Sequence, residues 1–160
     1  MNRSSRKRRT SQVRGFTFAE LVIVVLVLSI MAAVAVPKYS DSMDQYRVEA
    51  AALRITADLA LARKHAQATS ASQTVQFTVS TDKYVLVGMD DPDHSTDEYE
   101  IDLSRTGYPA ELTLVDLVGG DSVTFDQYGK PDVGGSVTVV AGDEERTVTI
   151  DATTGKASVN

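Results

Sequence analysis

Cysteine is absent from all 160 residues. That excludes disulfides, thiolate nucleophiles and Cys-ligated metal centres, and it leaves packing alone to hold the fold. Acidic side chains are absent from residues 1–14, which carry Arg3, Arg6, Lys7, Arg8, Arg9 and Arg14. Lys and Arg are in turn absent from the apolar run Phe16–Val36. Setting the leader aside leaves 10 basic against 22 acidic side chains, a net charge of −12. Such a body repels nucleic acid and anionic lipid, so the basic leader has a separate purpose. The length gives room for one domain plus a membrane segment, not for two full domains.

As a helix, Phe16–Val36 spans about 32 Å, close to the thickness of a bilayer's hydrocarbon core. The basic block on its N-terminal side favours a cytoplasmic leader and a body sent across the membrane. A secretory signal peptide has a shorter apolar region, about 7–15 residues, followed by small residues at its cleavage site. The stretch "MAAVAVP" offers such residues, but the length of the run and the acid inside it oppose that reading. The acid is Glu20. A carboxylate within a membrane helix costs about 3 kcal/mol and needs a partner or a task. The next basic residue, Lys38, lies beyond Pro37 and about five turns away. A cut between Gly15 and Phe16 creates an amine four residues before Glu20. In a helical bundle, the amine of one subunit then neutralises the acid of another.

"RGFTFAE" resembles the processing motif of type IV prepilins and type II secretion pseudopilins: basic leader, Gly, Phe, three residues, Glu, apolar helix. The resemblance implies that prepilin peptidase, a membrane aspartyl enzyme, cuts after Gly15 and that the new N-terminal Phe16 is methylated. It makes Glu20 the assembly carboxylate. Leu is more usual at the position of Phe18, a departure that keeps the site apolar.

Pro37 lacks a backbone donor and is expected to kink or loosen the helix. Beyond it, Tyr39, Met43, Tyr46, Ala50, Leu53, Ala57 and Ala60 recur at spacings of four and three. Asp41, Asp44, Arg47, Glu49 and Arg54 fall between them, as on an amphipathic helix. The Ala-rich stretch that follows favours helix, so one helix is expected from about Phe16 to Thr69. The stripe is expected to pack on a sheet; the same spacing also reads as a coiled-coil seam.

After Ser70 the periodicity alternates. Val75, Phe77 and Val79 share a face, "STDK" turns into "YVLVGM", and Tyr99, Ile101 and Leu103 alternate with acids. Leu112 with Leu114, Val123 with Phe125, and Val137 with Val139 mark further strands, the last pairing with Val148 and Ile150 across "GDEE". A final short strand ends near Val159. Seven or eight strands without a second helix predict an α+β fold, with antiparallel strands in two sheets packed on the long helix. The helix-to-hairpin entry "ALRITADLALARKHAQATSASQTVQFTV" and the closing "SVTFDQYGKP … VTVVAGDEERTVTIDATTGKASV" resemble the minor pseudopilin of the H type.

The acidic stretch Asp90, Asp91, Asp93, Asp97 and Glu98 has the clustered oxygens calcium prefers, but lacks the glycine of a known calcium-loop motif. A solvated loop explains it more simply, so neither metal nor cofactor is assigned. His65 and His94 have no ligand-spaced partners and are expected at the surface. No nucleophile elbow, phosphate loop or zinc pattern is present, so nothing argues for an enzyme. A DNA-uptake pilin needs a basic stripe, and the acidic body opposes it.

The expected organisation is a cleaved leader at 1–15, a membrane and assembly helix at 16–36, an amphipathic continuation at 37–70 and a periplasmic β-rich domain at 71–160. The resemblance implies a single-pass inner-membrane precursor that joins a type II secretion pseudopilus to support protein export. Its partners would be prepilin peptidase, other pseudopilins, the inner-membrane assembly platform and secreted cargo. The alternatives are a type IV minor pilin and a membrane-anchored binding protein that never assembles.

Overall fold

The computed structural model describes residues 15–91, 97–105, 107, 109–118 and 120–160, without the side chains of 34–37. The chain divides into two compact units, Met1–Lys38 and Tyr39–Asn160. One helix, α1 (Phe18–Thr69), contributes to both. Among the described residues it is followed by eight strands: β1 (Gln73–Thr78), β2 (Lys83–Asp90), β3 (Glu98–Asp102), β4 (Glu111–Leu117), β5 (Ser122–Phe125), β6 (Gly135–Ala141), β7 (Glu144–Ile150) and β8 (Ala157–Val159). Two four-stranded sheets result, ordered β3-β2-β1-β5 and β4-β6-β7-β8. Every paired strand is antiparallel. The expected α+β class with two sheets is what the chain adopts.

The core lies within the second unit. Val48, Ala51, Ala52, Ile55, Leu59, Ala62 and Ala66 of α1 join Val75, Phe77, Tyr84, Leu86 and Phe125 of the first sheet. They also join Val137, Val139, Val148 and Ile150 of the second sheet in one apolar cluster. Each large side chain buried there contributes about 1.5–3 kcal/mol. The four alanines keep the helical face narrow, which lets strand side chains approach its backbone.

The face of α1 that reaches the sheets is not the one expected. Tyr39, Tyr46 and Leu53 are 70%, 55% and 53% exposed. Both stripes repeat at three- and four-residue spacing, so periodicity alone does not choose between them. Asp58 disguised the true core face, because it is buried within it at 5% exposure. Its Oδ2 accepts from Tyr84 Oη at 2.6 Å and Arg54 Nε at 2.9 Å, and its Oδ1 from Tyr99 Oη at 3.2 Å. Arg54 Nη2 also donates to Tyr99 Oη at 2.6 Å. A polar residue thus occupies a core position because three donors on α1, β2 and β3 satisfy its carboxylate. Burial first, and then the neighbouring Asp58 charge, push the Tyr84 and Tyr99 phenols upward.

Local chemistry sets the remaining corners. The helix stops where Ser70 takes φ +53 and the Ala71 N–H closes on Ala66 O, a Schellman-type ending. Val79 leaves the strand for a 3-10 turn, Val79–Thr81, and is 40% exposed, contrary to the expected alternation. Asp82 follows at φ +55, a conformation Asp tolerates. Its Oδ1 accepts from Leu112 N at 2.8 Å, tying the β1–β2 hairpin of one sheet to β4 of the other. Leu114 also turns outward, because the β4–β6 register shifts between Leu112 and Leu114. Gly142 takes φ +58 at the β6–β7 turn, as a primed hairpin turn requires at its first position.

Candidate functional site

The N-terminal end of α1 carries the residues singled out in the sequence. Gly15, Phe16 and Thr17 precede the helix, and Glu20 is its third residue. Gly15, Phe16, Thr17 and Glu20 line one open recess. The Glu20 backbone N–H donates to Thr17 Oγ1 at 3.2 Å, and Leu21 N donates to Thr17 O at 3.1 Å. Thr17 is therefore the N-cap, satisfying one of the free N–H groups of the first turn. "TFAE" has the Thr-x-x-Glu spacing of a capping box, a local signal present in the sequence alone. The position also sets the Glu20 carboxylate at the positive end of the helix dipole, which favours negative charge there.

Gly15 has open space where a side chain would be: a Cβ built there meets nothing within 4 Å. The fold itself therefore places no demand for glycine at this position. Phe16 and Phe18 are exposed, as are Leu21, Ile23, Val25, Leu26, Leu28, Ile30 and Met31. Ser29 Oγ donates to Val25 O at 2.7 Å, which satisfies the hydroxyl within the apolar run. By length and composition this helix suffices to cross a membrane. Pro37 lies within the helical range of α1, and its side chain falls outside those described.

The other candidates lie in the second unit. Asp91 N donates to Asp97 O at 2.9 Å, closing the base of the acidic loop, and Glu98 Oε1 accepts from Gly88 N at 2.8 Å. Asp93 and His94 fall outside the described residues. Among the described residues, no three His, Asp or Glu side chains are grouped to hold a metal ion. His65 is not the plain surface residue expected. It is half-buried, with Nδ1 2.9 Å from Oε1 of the buried Gln73, whose Nε2 donates to Val87 O at 2.8 Å. The turn at Ser70 folds β1 back beside the last helical turn and brings that pair together.

Comparisons with known proteins agree with this architecture. The profile of the family described as type II transport protein GspH matches residues 51–154. Two crystal forms of the type IV minor pilin FimU of Pseudomonas aeruginosa share the fold. One aligns at 14% identity with a TM-score of 0.51, covering 70% of this chain and 91% of FimU. The other aligns at 15% identity with a TM-score of 0.53, covering 71% and 87%. No curated protein matches significantly.

Proposed function

Because the chain belongs to the GspH family of type II transport proteins, we propose that it is a minor pseudopilin, processed by prepilin peptidase and assembled into a type II secretion pseudopilus that supports protein export. The observation that carries this reading is Glu20: a carboxylate in the first turn of an apolar helix whose run to Val36 contains no Lys or Arg. A counter-ion supplied by another subunit resolves its cost in a membrane or filament core. The precursor sits in the inner membrane with its basic leader cytoplasmic and its β-rich body periplasmic. The peptidase cuts between Gly15 and Phe16 and methylates the Phe16 amine. During assembly the apolar helix exchanges lipid for neighbouring helices, and Glu20 fixes axial register against a neighbour's amine. Pro37 loosens the helix at the membrane boundary, and the body faces partner pseudopilins, the assembly platform or cargo.

Mass spectrometry of the N-terminus from native membranes tests this. The expected mature chain begins at methylated Phe16; retention of residues 1–15, or release of a body trimmed near Pro37, refutes it. Changing Gly15 to Leu isolates the peptidase, since the open space at Gly15 spares the fold. The precursor should then persist uncut. The fold shared with FimU supports a second reading, a minor pilin of a type IV pilus. Deleting the gene separates the two by which machine fails, secretion or pilus assembly.

A further inference from the structure

A second stripe of α1 in the second unit, exposed at Tyr39, Tyr46, Leu53 and Ala57 and half-buried at Met43 and Ala50, has a seven-residue repeat. With Tyr39, Tyr46 and Leu53 at heptad position d, Met43, Ala50 and Ala57 fall at a. The core face occupies the other side of the same helix: Val48, Ile55 and Ala62 at f, Ala51 at b, Ala52 and Leu59 at c. In this unit the buried apolar side chains of the helix all lie on that b, c and f side, while Glu49 and Arg54 at its margins reach Arg146 and Tyr99 of the sheets. A seven-residue apolar repeat stays in contact only with a second helix that supercoils around it, since a straight helix drifts away from the repeat by about 20° per heptad. A strand or loop has no such period.

The flanking charges bear on which helix fits. Glu49 occupies g and Arg54 the following e, and both side chains remain about half exposed beside their contacts with Arg146 and Asp58. In a parallel pair, g of one helix meets the following e of the other, so Glu49 and Arg54 of two identical chains attract twice by symmetry. We propose that this seam pairs two copies of this chain, parallel and in register. The parallel sense rests on the membrane-anchored topology proposed above, which orients all copies alike. The seam from Tyr39 to Ala57 is about 28 Å long. Ala50 and Ala57 let the backbones approach between the larger Tyr46 and Leu53 layers. The helix is already held by its core, so pairing carries no nucleation cost.

The absence of native cysteine makes the test direct. Single variants Ala50→Cys, Leu53→Cys and Gln45→Cys are built in the full-length chain carrying Gly15→Leu, so that an uncut precursor is examined, and are oxidised in membranes. Residues 50 and 53 lie on the seam, whereas Gln45 is exposed at position c. The expected result is a disulfide-linked homodimer from the two seam variants at about tenfold the yield of Gln45→Cys, as knobs-into-holes packing demands. Equal yields, no dimer, or a linked product of another mass would overturn the proposal. Coexpressed Ala50→Cys and Ala57→Cys chains report the register: preferential 50-to-57 linkage, the mark of staggered neighbours, also overturns it. Processing is scored separately as the mass change on cutting in chains that retain Gly15, so failure of the peptidase reading is not mistaken for failure of the seam.

Discussion

Asp58 is the residue on which the helix and the first sheet depend together. Its carboxylate takes hydrogen bonds from Arg54, Tyr84 and Tyr99. Asp58→Ala leaves the fully buried Tyr84 hydroxyl without an acceptor and removes the partner of Arg54, a loss of about 2–4 kcal/mol. Tyr84→Phe leaves two donors on the carboxylate and costs about 1 kcal/mol. Urea unfolding of the detergent-solubilised chain measures both, and equal effects would contradict the network. Asp151 has a different role at the β7–β8 turn. The Thr154 and Thr153 N–H groups and the Thr154 hydroxyl donate to its Oδ1 and hold its carboxyl below the ordinary carboxylate value. A lowered folded value contributes stability above the unfolded value near ~3.9, and that contribution is lost as pH falls through the folded value. Asp151→Asn should therefore flatten the fall in melting temperature below about pH 4, which a pH series of thermal unfolding records.

At the scale of elements, the long helix, its stop near Thr69 and the strand alternation were legible, because each rests on local periodicity or turn chemistry. Which side of α1 faces the sheets was not. Two apolar stripes with the same spacing share the helix, and the one containing Asp58 is the core face. Only the tyrosines of β2 and β3, brought in by tertiary folding, reveal why an acid belongs there. The N-cap was legible, since "TFAE" carries the Thr-x-x-Glu spacing immediately before an apolar helix. The outward turn of Leu114 follows the register shift of β4 against β6, which depends on pairing partners distant in sequence. A pair of substitutions two residues apart checks the face assignment. Ile55→Ala, at a fully buried position, should lose about 2–5 kcal/mol, whereas Leu53→Ala, about half exposed, should change stability by less than about 0.5 kcal/mol. The reverse order in urea unfolding would place the core on the other stripe.

At the scale of the whole molecule, charge and apolarity are sorted along the chain: a basic N-terminal stretch, an apolar run with one acid, and a body carrying the acidic excess. Glu20 is where that sorting is broken, and its replacement separates anchoring from assembly. Glu20→Ala keeps the helix cap, because Thr17 receives the backbone N–H of residue 20, which alanine retains. It also removes a transfer penalty of about 3 kcal/mol, so membrane retention does not weaken. The Gly15–Phe16 bond itself is unchanged, so the proposed cutting should proceed. What would disappear is the negative charge that the proposed assembly offers to a neighbour's amine, and an ion pair in an apolar bundle loses several kcal/mol when one partner is removed. The expected outcome is a normally processed, membrane-held chain whose recovery in sheared filaments falls about tenfold or more, since 1.4 kcal/mol already gives that factor. Glu20→Gln should fall similarly, because it keeps size and hydrogen bonding but not charge. Filament recovery at the unsubstituted level for both variants would remove the register role and leave Glu20 as a local feature of the helix end.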